Sequence, residues 1–240
     1  MFTFSVILLA GGFGTRLRSL HTGVPKPMIP IGGKPFLEWA LRYWEEQGAT
    51  HAVLSLGHLA QVAQDYFIHR PAGDIRIDTV VETEPLGTGG AVRYAAQCAA
   101  DNLSDPFFVA NGDSLVAADL EPAIDMVLQG ADGVVLGVSV PDAARYGTLV
   151  IDGRNRLIRF GEKQPGAGVI NAGVYLFRRA LLERFPPHTP LSMELDVFPN
   201  LLATGADLRA AVCQQPTPFL DIGTPESLSQ AESFLQAHFA

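Results

Sequence analysis

Apolar residues form two kinds of pattern along the chain: short continuous runs, and one-sided repeats at helical spacing. The runs predict buried strands and the repeats predict helices. Predicted strands cover residues 6–10, 51–56, 74–82, 107–113, 134–140, 169–178 and 208–212. Predicted helices cover residues 36–47, 59–67, 84–100, 119–129, 179–184, 192–202 and 226–237, the third of them opening in a glycine-rich turn. The alternation of strand and helix in the first half favours an α/β fold, with a parallel sheet and helices on both faces.

A different pattern, with mixed polar and apolar residues, begins after Pro141. Residues 146–151 and 157–163 flank a turn at Asp152 and Gly153, which predicts a β-hairpin. We interpret the hairpin as part of the same domain, so that residues 1–240 form a single domain.

Two helix starts have capping residues. Ser192 precedes an acidic first turn and is predicted to be an N-cap, and Thr224 before Pro225 is predicted to cap the last helix. The apolar face of the helix after Ser192 would consist of Leu195, Phe198, Leu201 and Leu202. We interpret that helix as mainly structural.

The first predicted strand ends in a glycine-rich loop with positive charge nearby. Gly11, Gly12 and Gly14 lack side chains, so backbone N–H groups there can approach a bulky anion. Cationic side chains follow at Arg16, Arg18, Lys26 and Lys34, and no Asp or Glu occurs before Glu38. This local charge favours a phosphate ligand.

Three interpretations of the loop are open. One is a glycine-rich turn without a ligand. A dinucleotide fold would need glycine at Leu17, and a Walker A loop would need a following Gly-Lys-Ser or Gly-Lys-Thr, which is absent. The third rests on a resemblance: L-A-G-G-x-G-T-R-L at residues 9–17, P-K-P-M at 25–28 and G-K-P-F-L-E-W at 33–39 closely resemble the sugar-1-phosphate nucleotidyltransferase family.

The overall composition excludes some partners. A net charge of −8 and a pI near 5.2 argue against a general binder of nucleic acid or membrane surfaces. Cys98 and Cys213 are too few and too far apart for a disulfide framework, which favours a reducing cytoplasm. The apolar N-terminus lacks the basic segment of a signal peptide, so we interpret residues 2–10 as the first core strand.

The resemblance extends over residues 6–226, with the motifs in family order. It implies a Rossmann-like three-layer sandwich with a mainly parallel mixed sheet, in which the β-hairpin is an insertion that binds the sugar. Residues 1–135 would mainly bind the NTP. Residues 136–240 would mainly bind the sugar phosphate and supply the closing helix.

The resemblance also assigns a nucleotide site. Its residues would be Leu9, Ala10, Gly11, Gly12, Gly14, Thr15, Arg16, Lys26, Glu84, Pro85, Gly87, Thr88, Asn111 and Asp113. In this family E-P-L-G-T-x-G, here residues 84–90, lies against the base. The Glu84 carboxylate can accept hydrogen bonds from both N1–H and the 2-amino group of guanine, whereas uracil offers a single N–H donor. GTP is therefore favoured, with UTP, CTP and dTTP as alternatives.

Two aspartates are candidate metal ligands. Asp113 ends a buried strand, where α/β folds place ligands, although a lone aspartate there is more often a turn or cap residue. The resemblance makes Asp113 and Asp221 the two Mg²⁺ ligands, with Phe219 where the family commonly has tryptophan. Oxygen ligands and phosphate partners suit this metal.

The sugar phosphate would contact three short elements of the second half. By resemblance these supply Tyr146, Gly147, Glu162, Lys163, Asn171 and Gly173. Lys163 would neutralise the sugar phosphate so that one anion can approach another. Glu162 and Asn171 would fix hydroxyl groups.

The implied reaction is in-line attack by a phosphate oxygen of a sugar 1-phosphate on the α-phosphorus of an NTP, with release of pyrophosphate. The nucleophile is already ionised, so catalysis rests on positioning and charge neutralisation rather than on a general base. The predicted catalytic residues are Arg16, Lys26, Asp113 and Asp221.

Among the branches of the family, residues 84–91, 111–113 and 192–201 most resemble D-glycero-α-D-manno-heptose 1-phosphate guanylyltransferases, which make precursors of cell-surface polysaccharides. Mannose, glucose and N-acetylhexosamine 1-phosphates are alternative substrates. A non-catalytic regulatory subunit that binds sugar nucleotides is an alternative of another class. A homo-oligomer is left open.

Overall fold

The computed structural model describes residues 2–12, 23–69, 72–161, 165–213 and 216–239. Its strands are β1 (Phe4–Ala10), β2 (Pro30–Ile31), β3 (Lys34–Pro35), β4 (Ala49–Leu56), β5 (Arg76–Val81), β6 (Phe107–Asn111), β7 (Ser114–Val116), β8 (Gly133–Val140), β9 (Thr148–Ile151), β10 (Leu157–Gly161), β11 (Gly168–Phe177), β12 (Leu208–Cys213) and β13 (Phe219–Asp221). Its α-helices are α1 (Phe36–Glu46), α2 (Ala60–His69), α3 (Gly87–Cys98), α4 (Glu121–Leu128), α5 (Phe198–Ala203) and α6 (Pro225–His238). Short 3-10 helices cover Lys26–Met28 and Arg179–Arg184, and a π-helix covers Met193–Val197. Within these ranges, no helix has the length and apolar character needed to cross a membrane.

The first half of the chain builds the parallel part of the main sheet. β1 lies between β4 and β6 and is parallel to both, and β5 lies parallel to β4 at the edge. Ile7 is in register with Val53 on one side and Val109 on the other. Parallel neighbours need long crossover connections, which α1, α2 and α3 supply. The carboxyl ends of these strands therefore meet along one edge of the sheet.

The second half adds antiparallel strands to the same sheet. β11 is antiparallel to β6 on one side and to β8 on the other, and β12 is parallel to β8. β9 and β10 form the predicted hairpin, which pairs with the first part of β11. β8 and β11 are joined through this hairpin rather than through a helix, a connection that antiparallel neighbours allow. The mixed sheet with a hairpin insertion is therefore confirmed.

Two apolar cores lie on opposite faces of the sheet. Side chains alternate along a strand, so Val6 and Leu8 face one core while Ile7 faces the other. The first core contains Trp44 of α1, and the second contains Phe198 of α5. Helices thus cover both faces, which confirms the predicted three-layer α/β sandwich.

The helix predicted at residues 192–202 differs in its first turn. Ser192 caps it as predicted, since its Oγ accepts a hydrogen bond from Leu195 N at 3.2 Å. The first turn, however, is a π-helix, which holds more residues per turn than an α-helix. This change of register leaves Leu195 79% exposed, whereas Leu201 is fully buried. The prediction that Leu195 belongs to the apolar face is therefore wrong.

A separate two-stranded sheet brings residues 219–221 to the carboxyl ends of the parallel strands. β13 pairs antiparallel with β7, and Asp221 is in register with Ser114. Ile222 N continues the pairing by donating to Asp113 O at 3.1 Å. The predicted cap follows directly, because Thr224 forms a capping box with residue 227 at the start of α6.

Candidate active site

A cavity of about 870 Å³ opens at the carboxyl ends of the parallel strands. Every site residue predicted from the sequence that lies within the described ranges lines this cavity. These residues are Leu9, Ala10, Gly11, Gly12, Lys26, Glu84, Pro85, Gly87, Thr88, Asn111, Asp113, Tyr146, Gly147, Asn171, Gly173 and Asp221. The predicted nucleotide and sugar-phosphate residues therefore surround one space.

Several predicted residues lie outside the described part of the chain. They are Gly14, Thr15, Arg16 and Arg18 in the glycine loop, and Glu162 and Lys163 after β10. Their roles stay predictions from the resemblance.

Lys26 lies between the two candidate metal ligands. Its Nζ is 2.6 Å from Asp113 Oδ2 and 3.5 Å from Asp221 Oδ1. The Lys26 side chain is only 13% exposed, so solvent screens these ion pairs less than it would at the surface. The three charges thus form one compact cluster in the cavity wall.

The pairing of β13 with β7 explains how two distant aspartates meet. Asp113 lies in the turn between β6 and β7, and Asp221 ends β13 opposite Ser114. Gly223 N donates to Asp221 Oδ1 at 2.7 Å. A Cβ on Gly223 would lie 2.8 Å from that oxygen and 3.2 Å from Lys26 Nζ, so a larger residue would disturb the cluster.

The carboxylate pair fits a magnesium ion in its chemistry. Both side chains offer oxygen ligands, and the ammonium of Lys26 shows that the pair already accommodates a positive charge. Mg²⁺ commonly takes one or two carboxylates and completes its shell with waters and substrate phosphates. In the part of the chain that the structure describes, no group of three or more His, Cys, Asp and Glu side chains could hold a metal. Phosphate or water oxygens would therefore have to complete a magnesium site at Asp113 and Asp221.

The two glycines that follow β1 differ in how closely they are packed. A Cβ on Gly11 would lie 2.8 Å from Glu82 Oε1 and 3.3 Å from Gly57 N. A Cβ on Gly12 would have nothing within 4 Å, although Gly12 also lines the cavity. Close packing therefore explains glycine at position 11, and position 12 leaves its backbone open to a ligand.

Glu82 is a cavity residue that the sequence analysis did not identify. Its Oε1 accepts a hydrogen bond from Ser55 Oγ at 3.3 Å, and its Oε2 accepts one from Leu86 N at 3.1 Å. These bonds hold the carboxylate beside Gly11, whereas Glu84 is exposed. The signal that could have found Glu82 is an acidic residue at the carboxyl end of a predicted strand, as at Asp113.

The loop predicted to contact the base is packed against residues 191–193. Gly87 has φ +72°, and a Cβ on it would lie 2.6 Å from Leu191 O. Thr88 Oγ1 accepts a hydrogen bond from Met193 N at 2.9 Å. Glycine at position 87 is thus required by both its backbone angle and its neighbour.

Asn171 makes several hydrogen bonds on the side of the cavity that is predicted to bind the sugar phosphate. Its Nδ2 donates to Tyr175 OH and to Glu194 Oε1, both at 2.9 Å, and its Oδ1 accepts from Gly173 N at 3.0 Å. Gly173 has φ +71°, and a Cβ there would collide with the Asn111 side chain. Glu194, which also lines the cavity, was missed because its helix was interpreted as structural.

The Tyr146 hydroxyl has a raised pKa. Burial raises the pKa of its hydroxyl, and the negative charge of Asp221 raises it too, whereas Arg145 acts in the opposite direction. The ring meets Phe219 edge-on, with 5.6 Å between centroids. The Arg145 guanidinium lies 5.5 Å from the centroid of the Tyr146 ring. Arg145 also lines the cavity, so it adds to the cavity wall a positive charge that was not predicted from the sequence.

Known proteins resemble this chain over nearly its whole length. A family model described as Nucleotidyl transferase matches residues 5–238. The chain is 36% identical over 232 residues to mannose-1-phosphate guanylyltransferase of Mycobacterium tuberculosis, covering 95% of this chain and 64% of that protein. It is 34% identical over 221 residues to D-glycero-α-D-manno-heptose 1-phosphate guanylyltransferase of Campylobacter jejuni, covering 92% of this chain and 95% of that protein. The chain thus spans slightly less than two thirds of the first relative and nearly all of the second.

Solved structures show the same similarity in three dimensions. The crystal structure of HddC from Yersinia pseudotuberculosis matches with a TM-score of 0.84 and 37% identity, covering 96% of this chain and 98% of that one. The structure of HddC complexed with GMP-PN matches with a TM-score of 0.83.

Proposed function

Because the chain belongs to the nucleotidyl transferase family, we propose that it joins GTP and a sugar 1-phosphate to give a GDP-sugar and pyrophosphate. The sugar phosphate that we favour is D-glycero-α-D-manno-heptose 1-phosphate, since the chain spans 95% of the Campylobacter jejuni relative of that name. Mannose 1-phosphate is the second candidate, supported by the relative from Mycobacterium tuberculosis.

The observation that carries this proposal is the cluster of Lys26, Asp113 and Asp221 in the wall of one cavity. A triphosphate needs cationic side chains and a metal to offset its charge, and a metal needs anionic ligands. The cluster supplies both beside the open backbone of Gly12. Residues predicted to bind the sugar line the same cavity, so both reactants would meet there.

The chain's own residues would act by binding and neutralising charge. Lys26 would move from its two carboxylates to the phosphates of the bound NTP, and Asn171 would orient the sugar phosphate for in-line attack on the α-phosphorus. The attacking oxygen is already ionised, so no side chain has to remove a proton. Members of this family generally use a divalent metal ion. We propose Mg²⁺ at Asp113 and Asp221, where it would stabilise charge developing on the transferred phosphate.

Guanine is the proposed base because the relatives named above are guanylyltransferases and HddC has been crystallised with GMP-PN. The Glu84 carboxylate is the proposed acceptor for the N1–H and 2-amino groups. Glu82 is the second candidate, because hydrogen bonds hold its carboxylate at the cavity wall.

Comparing Glu84→Gln with Glu82→Gln distinguishes the two candidates. The variant of the residue that contacts guanine should lose about tenfold or more of the preference for GTP over UTP.

The decisive experiment is a matrix of four NTPs against several sugar 1-phosphates with Mg²⁺, measuring pyrophosphate release. GTP with the heptose 1-phosphate should give the highest kcat/KM. A preference for UTP, CTP or dTTP would remove the argument for guanine. Binding of a sugar nucleotide without pyrophosphate release from any pair would favour the regulatory subunit instead.

The cytoplasm is the proposed site of action. Cys98 and Cys213 are both free thiols, as expected in a reducing compartment.

A further inference from the structure

Residues 191–194, here called the bridging segment, connect the two sides of the cavity. At one end the segment is bonded to the loop predicted to contact the base. Leu191 N donates to Leu86 O at 2.8 Å, and Leu191 O accepts from Gly89 N at 2.7 Å and from Gly90 N at 3.2 Å. Thr88 Oγ1 adds a fourth bond by accepting from Met193 N at 2.9 Å.

The other end of the bridging segment reaches the sugar side. Glu194, directly after Met193, accepts a hydrogen bond from Asn171 Nδ2 at 2.9 Å. Its carboxylate also lies beside Gly147, 3.4 Å from the place a Cβ would occupy there. Glu194 therefore contacts Asn171 and lies beside Gly147, and both of these residues are predicted to bind the sugar phosphate.

The Thr88 side chain holds the residue directly before Glu194. Met193 is only 2% exposed, so its N–H has little access to water and depends on the Thr88 hydroxyl as an acceptor. Packing keeps this contact close, because a Cβ on Gly89 would lie 2.7 Å from Val197 Cγ2 and 3.1 Å from Leu191 O. Of the four bonds described above, three hold Leu191 and only this one holds the residue directly before Glu194, so loss of the hydroxyl would loosen the backbone there.

We propose that Thr88 is a positioning residue for the sugar phosphate, acting through Met193 and Glu194 on Asn171, rather than a direct ligand of the nucleotide. This inference rests on the proposed function and changes the role that the resemblance gives to Thr88. It predicts that a residue on the base side of the cavity controls the affinity for the other substrate.

The test compares Thr88→Val, which removes the acceptor, with Thr88→Ser, which keeps it. Thr50→Val, at an exposed position of β4, is the matched control. In Thr88→Val the KM for the sugar phosphate should rise about tenfold while the KM for GTP changes less than about twofold. Thr88→Ser should restore the KM of the unmodified enzyme. A rise in the KM for GTP alone, or a serine variant as impaired as the valine variant, would overturn the proposal.

A double-mutant cycle tests the route through Glu194. If Thr88 acts through Glu194, Thr88→Val should add little to the effect of Glu194→Gln on the KM for the sugar phosphate. Fully additive effects would show that the two residues act separately and would contradict the proposal.

Amide hydrogen exchange keeps this inference separate from the proposed function. The backbone amide hydrogens of residues 191–194 should exchange faster in Thr88→Val than in Thr88→Ser, whether or not the protein turns over any substrate. Unchanged protection would overturn the bridging role even in an active enzyme. Absence of pyrophosphate release together with altered protection would instead refute the proposed function alone.

Discussion

The position of the Lys26 ammonium depends on the carboxylates of Asp113 and Asp221. The ammonium of Lys26 lies where it offsets two carboxylates that would otherwise repel each other. A metal ion bound by the same carboxylates would compete with that ammonium. Phosphate groups entering with the NTP would give Lys26 new anionic partners. We therefore expect tight metal binding and nucleotide binding to occur together.

Replacing Lys26 tests this competition. In Lys26→Met, the protein without nucleotide should bind Mn²⁺ at least about tenfold more tightly, because two carboxylates lose their internal cation. Calorimetry or electron paramagnetic resonance measures this directly. Lys34→Met is the matched control, since Lys34 lies over the Trp39 ring with its Nζ 4.1 Å from the centroid. Weaker Mn²⁺ binding in Lys26→Met would contradict the competition.

Removing either aspartate should abolish most of the activity. We expect Asp113→Ala and Asp221→Ala each to lower kcat/KM more than about a hundredfold, roughly 2.7 kcal/mol of transition-state stabilisation. Initial rates of pyrophosphate release at saturating Mg²⁺ measure the effect. Asp125→Ala, at an exposed position of α4, serves as the control. Near-normal turnover in either cavity variant would refute the metal assignment.

At the scale of elements, periodicity predicted where strands and helices occur but not every register. The run from Val6 to Ala10 and the helix after Phe36 follow from local apolar pattern alone. The π-helix at Met193–Val197 does not, because Ser192 and the acidic first turn suit an ordinary α-helix equally well. Tertiary bonds hold its first turn, such as the one from Met193 N to Thr88 Oγ1. Glu194 lies in this turn and was overlooked because the helix was interpreted as structural.

Two leucines of this helix test the register. Leu201 is fully buried, so Leu201→Ala should lower the free energy of unfolding by about 2–5 kcal/mol. Leu195 is 79% exposed, so Leu195→Ala should change it by less than about 0.5 kcal/mol. Urea unfolding of both variants measures the difference. Equal losses would mean that Leu195 packs in the core, as the α-helical periodicity predicted.

At the scale of the whole molecule, the sequence predicted the layers of the fold better than it predicted which distant residues come together in the cavity. Strand and helix alternation was enough for the three-layer sandwich. The convergence of Asp113 and Asp221 came from family resemblance, because no local pattern indicates that β13 pairs with β7. Glu82 was missed although it lies at the carboxyl end of a predicted strand, as Asp113 does. Arg145 was missed because a basic residue beside a strand has no distinctive local signal before the cavity is known.

Both cores should make the protein sensitive to alkaline pH. Tyr43 lies in one core and Tyr175 in the other, and burial raises the pKa of each hydroxyl. Unfolding exposes them, and their pKa returns to about 10. The folded state therefore favours the protonated form, so stability is complete below about pH 10 and falls as the pH rises further. Urea unfolding at about pH 8 and about pH 11 should show this loss. The loss should be smaller in Tyr43→Phe, and an unchanged pH dependence would contradict the assignment.

The pairing of β13 with β7 has a consequence for the order of synthesis. Lys26 and Asp221 are separated by 195 positions, yet they lie in one cluster. A nascent polypeptide released from the ribosome up to residue 213 would already contain every strand of the large sheet, but not Asp221. Such a chain has one carboxylate beside its lysine instead of two. The second carboxylate would thus arrive only after the strands of the large sheet have been synthesised, so that a product terminated at residue 213 would lack half of the proposed metal site.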